Sequence, residues 1–171
     1  MCSSDLPRLS PTLRSRLSAI EYDRCLAVMA VMDGASRIPA PGGITPMSGP
    51  LAWVSDNHAK GTSPVPAVTL HGTAAFSLEH WDHDRNKTGL RMIEAAAEWI
   101  GSRVVEFQVH GWRYSRPRNP ETSPCILACK QPPLVLAGDA FASGGIEGAA
   151  LSGLAAARTL LAASSGEDSR E

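Results

Sequence analysis

The stretch Leu134–Leu161, LVLAGDAFASGGIEGAALSGLAAARTLL, joins a short apolar run to glycine, aspartate, two further glycines and a series of small residues. LVLAG reads as a buried strand that stops at Gly138, and IEGAALSGLAAARTLL as a helix that begins straight after a glycine-rich turn. The first N–H groups of such a helix have no partner within it and lie at the positive end of its dipole. They suit a phosphate, a carbonyl oxygen or a developing negative charge. Gly144 and Gly145 let a flat ligand come within contact distance of the main chain, and Asp139 is placed to accept hydrogen bonds from ligand hydroxyls. Along the helix, Gly148, Ser152 and Ala156 lie four apart, as do Ala149, Gly153 and Ala157, so two rows of small side chains invite close packing. An ordinary strand–turn–helix unit with tight packing is the alternative, because glycine-rich turns recur in many α/β units.

Other residues able to do chemistry are scattered. His110, Trp112 and Tyr114 share one face of a strand if its alternation continues through Gly111, giving either an aromatic lining for a planar ring or plain packing. Arg113, Arg116 and Arg118 form the one basic cluster, interrupted by prolines, which reads as a solvated loop. His80, Asp82, His83 and Asp84 crowd together in EHWDHD. A polar helix start explains them better than a metal site, because no further partner at zinc-protease spacing follows, so no metal is expected. A G-x-S-x-G nucleophile elbow and a phosphate-binding Walker motif are both absent, leaving hydrolase and nucleotidase readings without support.

The elements that must hold these residues belong to a chain of ordinary globular composition. Its 171 residues are 43% hydrophobic and 19% charged, with a formal net charge of -1, enough for one proper core. Near-neutral charge with no basic stripe argues against nucleic acid as a partner. Cys2, Cys25, Cys125 and Cys129 show neither zinc spacing nor a secreted disulfide framework, which suits free thiols. No apolar run approaches the length of a membrane span and the first residues lack a signal-peptide core, so a cytoplasmic protein without a membrane partner is expected.

Residues 1–20 read as a polar lead-in that could hold a short helix after a Ser10 cap with Pro11 at its first position. Cys25–Met32 is apolar without alternation, as in a strand covered on both faces. Gly34–Pro50 is too rich in glycine and proline for anything but a loop. LAWVSDN and PAVTLHG look like two strands of a hairpin. DRNKTGLRMIEAAAEWIG reads as one amphipathic helix, with Leu90, Ile93, Ala97 and Ile100 at helical spacing, Met92, Ala96 and Trp99 beside them, an Asp84 cap and a Gly101 stop. VVEFQVHGWRY reads as a half-buried strand with Val105, Phe107 and Val109 inward. CILAC and LVLAG are two more short strands, and the tail from 164 to 171 reads as frayed. Six strands and three helices, with strands joined mostly by loops, give an α+β fold with a mixed, largely antiparallel sheet and flanking helices.

The run AGDAFASGGIEGAALSGLAAA resembles the C-terminal FAD-binding segment of flavin-dependent amine oxidases. YDRCLAVMAVM, LAWVSDNHAKG, VTLHGTAAFSLEHWD and VHGWRYSRP stand in the order found in the renalase-like branch of that family, so the similarity runs from about Tyr22 to Leu161. It implies a substrate-domain portion over 21–130 and, over 131–163, the last strand and helix of a Rossmann-like FAD-binding domain. By that resemblance Gly138 and Asp139 meet the ribityl and phosphate part of FAD, and the amides around Ile146, Glu147 and Gly148 face the flavin C2 carbonyl. Trp53, Asn57 and Lys60 match another family motif, which implies Asn57 and Lys60 at a strand end near the active-site mouth; a turn with a solvated lysine is the equal alternative. His110, Trp112, Arg113 and Tyr114 belong to the sheet near the flavin.

Relatives begin with a strand, a G-x-G-x-x-G turn and a helix that bind the ADP half of FAD, and no stretch of this chain supplies them. The resemblance is therefore to the C-terminal half of an FAD-dependent oxidoreductase. It implies hydride transfer from a small reduced substrate, such as a dihydronicotinamide isomer, to flavin and then oxygen, with no assigned acid or base. Catalysis by the chain alone is not expected, and a chain or domain carrying the dinucleotide-binding half is the implied partner. The alternative is a non-catalytic fragment or partner-binding subunit.

Overall fold

The computed structural model describes residues 9–165. Cys2, the first eight residues of the lead-in and the tail beyond residue 165 lie outside the described residues. The chain divides into two compact units, Met1–Tyr22 with Arg116–Glu171, and Asp23–Ser115. The sequence alone placed its boundaries at 20/21 and 130/131.

The Asp23–Ser115 unit is built on a five-stranded sheet. The strands are β1 (Tyr22–Met32), β2 (Gly43–Ile44), β3 (Leu51–Asp56), β4 (Ala67–Gly72) and β5 (Val104–Pro117), in the order β2-β3-β4-β1-β5. β1 begins one residue before the unit and β5 ends two residues after it. β1 pairs antiparallel with β4, and β4 with β3, so the fold is α+β with a largely antiparallel sheet. β1 lies inside the sheet as its unbroken apolar run requires. Leu26, Val28, Ala30 and Met32 are each at most 3% exposed and meet Val54, Val68 and Leu70 in the core. The loop Gly34–Pro50 carries only the two-residue β2.

Three helices accompany this sheet: α2 (Ala74–Glu79), α3 (Arg85–Ala95) and α4 (Ala97–Ile100). α2 has no counterpart in the sequence reading; Thr73 caps it, its Oγ1 accepting from the Phe76 amide at 3.2 Å. The single amphipathic helix expected over residues 84–101 is divided at Ala96 (φ -94°, ψ 3°), although its ends fall as expected. Asp84 Oδ1 accepts from the Lys87 amide at 2.8 Å, and Gly101 ends α4 at φ 72°. The buried stripe is also rotated. Met92, Ala96 and Ile100 are at most 3% exposed, whereas Leu90 is 56% exposed. Gly89 is the reason: a Cβ there would stand 2.6 Å from both Phe107 and Val109, so the helix rests its bare backbone on β5. Within β5, Phe107 and Val109 pack on the core together with Val104, while Val105 points outward, against expectation. The alternation breaks at Val105 and Glu106, which are both exposed; just before β5, the Arg103 amide and Nε donate at 3.0 Å to the two carboxylate oxygens of Asp33.

The second unit contains α1 (Pro11–Ser18), β6 (Ile126–Lys130), β7 (Pro133–Leu136) and α5 (Gly145–Ser165). Ser10 Oγ caps α1 by accepting from the Leu13 amide at 3.3 Å, with Pro11 in the first turn. β6 and β7 form an antiparallel hairpin. Leu9, Leu13, Leu136, Ala140 and Phe141 make the small core.

Arg16 and Glu121 clasp each other within this unit, Nη2 lying 2.8 Å from Oε1 and Nε 3.1 Å from Oε2. The hydrogen bond from Arg16, ahead of the charge itself, holds the Glu121 carboxyl below its ordinary value of 4.5. A depressed acid contributes stability above its unfolded value and loses that contribution as pH falls through the folded one. Arg16→Ala is therefore expected to lower the urea midpoint at neutral pH and to leave it unchanged at pH values well below 4.5; paired melts at the two extremes check this.

One helix departs from the expectation about membranes. By length and composition, Gly145–Ser164 of α5, with a mean hydropathy of 1.2, is long and apolar enough to cross one. Glu147 and Arg158 interrupt the apolar run, but alanine and leucine raise its average.

Candidate functional site

β7 delivers the chain to Gly138, whose φ of 147° suits glycine. Its N–H donates to Ser152 Oγ at 2.9 Å, and Ser152 is fully buried. The Gly138 amide is thus committed to α5. What Gly138 offers a ligand is bare backbone, with nothing within 4 Å of where a Cβ would stand. Asp139 is half-buried, and the Tyr22 hydroxyl donates to its Oδ1 at 3.3 Å. Burial first, and then the Asp139 charge, push the Tyr22 phenol above its ordinary pKa.

The turn into α5 is held by main-chain bonds. The Ala142 amide reaches the Glu121 carbonyl at 2.8 Å, and the Gly144 amide the Phe141 carbonyl at 3.2 Å. Ala142, Gly144 and Gly145 all have positive φ, at 56°, 70° and 71°. Gly145 has open space around its missing Cβ, whereas a Cβ on Gly148 would meet Ser143 Oγ at 3.1 Å. Ile146 is 93% exposed, and the Glu147 carboxylate occupies the first turn of the helix.

A cavity of about 420 Å³ lies in this unit, walled by Leu17, Ile20, Tyr22 and residues 135–141. It brings together Gly138 and Asp139 among the expected residues. Gly144, Gly145, Ile146, Glu147 and Gly148 follow on the turn beyond its walls. Tyr22, Leu17 and Ile20 were not singled out from sequence, because a phenol 117 positions from its carboxylate leaves no local signal. Of the two small-residue rows on α5, the first is packed: Gly148 and Ser152 are buried, and Thr159 Oγ1 meets Cys125 Sγ at 3.5 Å. The second is open, with nothing near the missing Cβ of Gly153.

The expected substrate residues belong to the Asp23–Ser115 unit. His110 and Trp112 share a face of β5, their rings edge to face with centroids 4.4 Å apart. Trp112 and Tyr114 are 53% and 71% exposed, and Arg113 is also exposed. Trp53 lies across Gly43, where a Cβ would be 2.3 Å from its Cζ2, so its ring covers β2. Asn57 turns the chain after β3. Its carbonyl accepts the Thr62 and Ser63 amides at 2.9 Å and its Nδ2 donates to Thr69 Oγ1 at 2.8 Å. Asn57 also borders a cavity of about 190 Å³ with Val68, Glu106 and Gln108. Lys60 is exposed. Burial, and secondarily the charge of Lys60, lower the pKa of His71.

Asp56, next to Asn57, is the better-held polar group and was missed. It is 7% exposed and accepts from Ser36 Oγ at 2.6 Å and from the His58 and Ala59 amides at 2.8 Å. Burial works to raise its pKa, and these hydrogen bonds bring it below the ordinary value.

Among the described residues no group of three or more His, Cys, Asp or Glu side chains could hold a metal ion. His80 is occupied structurally. Arg91 Nη1 lies 2.9 Å from its Nε2, and its Nδ1 is 3.1 Å from the Phe76 carbonyl. Because arginine only donates, Nε2 is the accepting nitrogen and Nδ1 carries the proton. In the basic cluster, Arg118 pairs with Glu21 at 3.2 Å. Cys25, Cys125 and Cys129 are free thiols. A cavity of about 570 Å³ between α3, α4 and the start of β5, bordered by Arg37, Ile93, Ile100 and Phe107, contains none of the expected residues. No protein-family model matches the chain.

Proposed function

We propose that this chain is the C-terminal part of a renalase-like FAD-dependent oxidoreductase, acting in the cytoplasm on a small reduced substrate, with dihydronicotinamide isomers as the implied class. The observation that carries the reading is the open main chain at Gly138 and Gly145 on either side of the turn from β7 into α5. At each of them nothing lies within 4 Å of where a Cβ would stand, which suits the close approach of a planar ligand to the main chain. FAD, when bound, supplies hydride acceptance and its delivery to oxygen.

The residues then do the binding. Asp139, oriented by Tyr22, accepts ribityl hydroxyls. The N-terminus of α5 favours negative charge beside it, and Gly145 admits the ring edge. The resemblance implies His110, Trp112, Arg113, Tyr114, Trp53 and Asn57, all of the Asp23–Ser115 unit, as the substrate-binding residues, although Trp53 spends its ring on Gly43. The ADP half of FAD requires a dinucleotide-binding chain or domain. Its absence from a binding measurement removes affinity at about 1.4 kcal/mol for each tenfold.

Titration of flavin fluorescence tests the proposal. FAD and FMN are expected to bind weakly and with similar affinity, ADP is expected not to compete, and Gly145→Asp is expected to abolish the signal. Absence of saturable binding by either flavin would sink it. The second reading, a non-catalytic partner-binding subunit, is favoured by Leu151, Leu154 and Leu161 of α5, which are 52%, 57% and 69% exposed.

A further inference from the structure

We infer that β5 is a self-association edge, along which a second copy of this chain adds its own β5 antiparallel to the first. The inference does not depend on flavin. β5 is the last strand in the sheet order, and among the described residues no strand pairs with its outer side. An edge strand presents a row of unpaired N–H and C=O groups, and proteins normally blunt it by shortness, lysine or proline. β5 is instead 14 residues long, holds no lysine and has its only proline at its last position. Val105 and Trp112 on it are 52% and 53% exposed.

The order of charges along the strand selects a second copy of the chain and its direction. Glu106 lies in the first part, and Arg113 and Arg116 in the last. Parallel pairing in register would set Glu106 on Glu106 and arginine on arginine. An antiparallel pair about a two-fold axis at Gly111 sets Glu106 opposite Arg116 twice, which is the favourable cross-strand arrangement. The same register places His110 opposite Trp112. The edge-to-face pair already present in each strand then becomes a cluster of four rings. Two glycines face each other at the axis, so no side chain obstructs the closest approach.

Sedimentation velocity on the full chain, from low to high micromolar, tests this alongside hydrogen exchange. The wild type is expected to form dimers, with amides of Gln108–Arg113 gaining protection as concentration rises. Glu106→Arg and Arg116→Glu, both at exposed positions, are each expected to weaken the dimer about tenfold or more by setting like charges opposite each other twice. The double variant Glu106→Arg/Arg116→Glu is expected to restore it. A monomer at every concentration, its edge left to a strand of some other chain, overturns the inference. So does a dimer indifferent to both charge reversals, which would place the contact elsewhere, as on α5.

Discussion

Trp81→Ala is expected to destabilise the Asp23–Ser115 unit by about 3–5 kcal/mol, the range for removing a large aromatic ring from a core that cannot collapse around the gap. Trp81 is 9% exposed and belongs to the main apolar cluster, between the end of α2 and the start of α3. Its ring also lies against two cations, with the Arg24 and Arg85 guanidinium carbons 4.9 and 5.0 Å from its centroid. Arg85 Nη1 is buried with no hydrogen-bond acceptor among the described residues, so the indole face is the chief compensation for burying that group. Alanine removes both the packing and this compensation. Trp81→Phe keeps a smaller ring and a weaker quadrupole and is expected to lose less. Urea denaturation followed by circular dichroism gives the ranking, and an alanine variant within about 0.5 kcal/mol of wild type, the ordinary size of a surface effect, would contradict this account.

Gly89→Val is expected to be damaging too, for the opposite reason. Helix propensity by itself favours replacing an interior glycine, by roughly 0.5–1 kcal/mol in the case of alanine. The space decides otherwise. A Cβ on Gly89 would stand 2.6 Å from Phe107 Cε2 and from Val109 Cγ2, with Phe107 Cδ2 at 3.2 Å. These are half-buried groups on a strand packed against the core, and overpacking of this kind costs about 1–3 kcal/mol or more. Valine adds two methyl groups to the clash and its own χ1 restriction. Gly89→Ala is expected to be milder, and Gly89→Ala/Val109→Ala to recover part of the loss, since neighbours that share a contact are not additive. If Gly89→Val melted at or above the wild type, α3 would not rest its backbone on β5.

Much of the fold was legible because local rules governed it. Cys25–Met32 became an interior strand, since an unbroken apolar run can only be satisfied with both faces covered. Ser10, Asp84 and Gly101 set helix ends through bonds reaching at most a few residues. The turn before α5 was marked by glycines, two of which do adopt positive φ.

The misreadings share a cause. Leu90 fits the helical stripe on spacing, yet it faces outward because Gly89 permits a closer approach to β5 on the adjacent side. Val105 satisfies alternation with Phe107 and Val109, but Val105 and Glu106 are both exposed, so the phase shifts between them and it is Val104 that packs on the core. Trp53 invites a role in a pocket and covers Gly43 instead.

At the candidate site the division is similar. Gly138, Asp139 and the glycines of the turn could be picked out from residue type and order, because backbone freedom and a strand-end carboxylate are properties of the chain itself. That Tyr22 donates to Asp139, that Ser152 takes the Gly138 amide, and that Leu17 and Ile20 wall the adjoining cavity are decided by the tertiary structure. These depend on which distant segments share a core, and a hydrogen bond or a cavity wall between positions far apart leaves no period or motif to read.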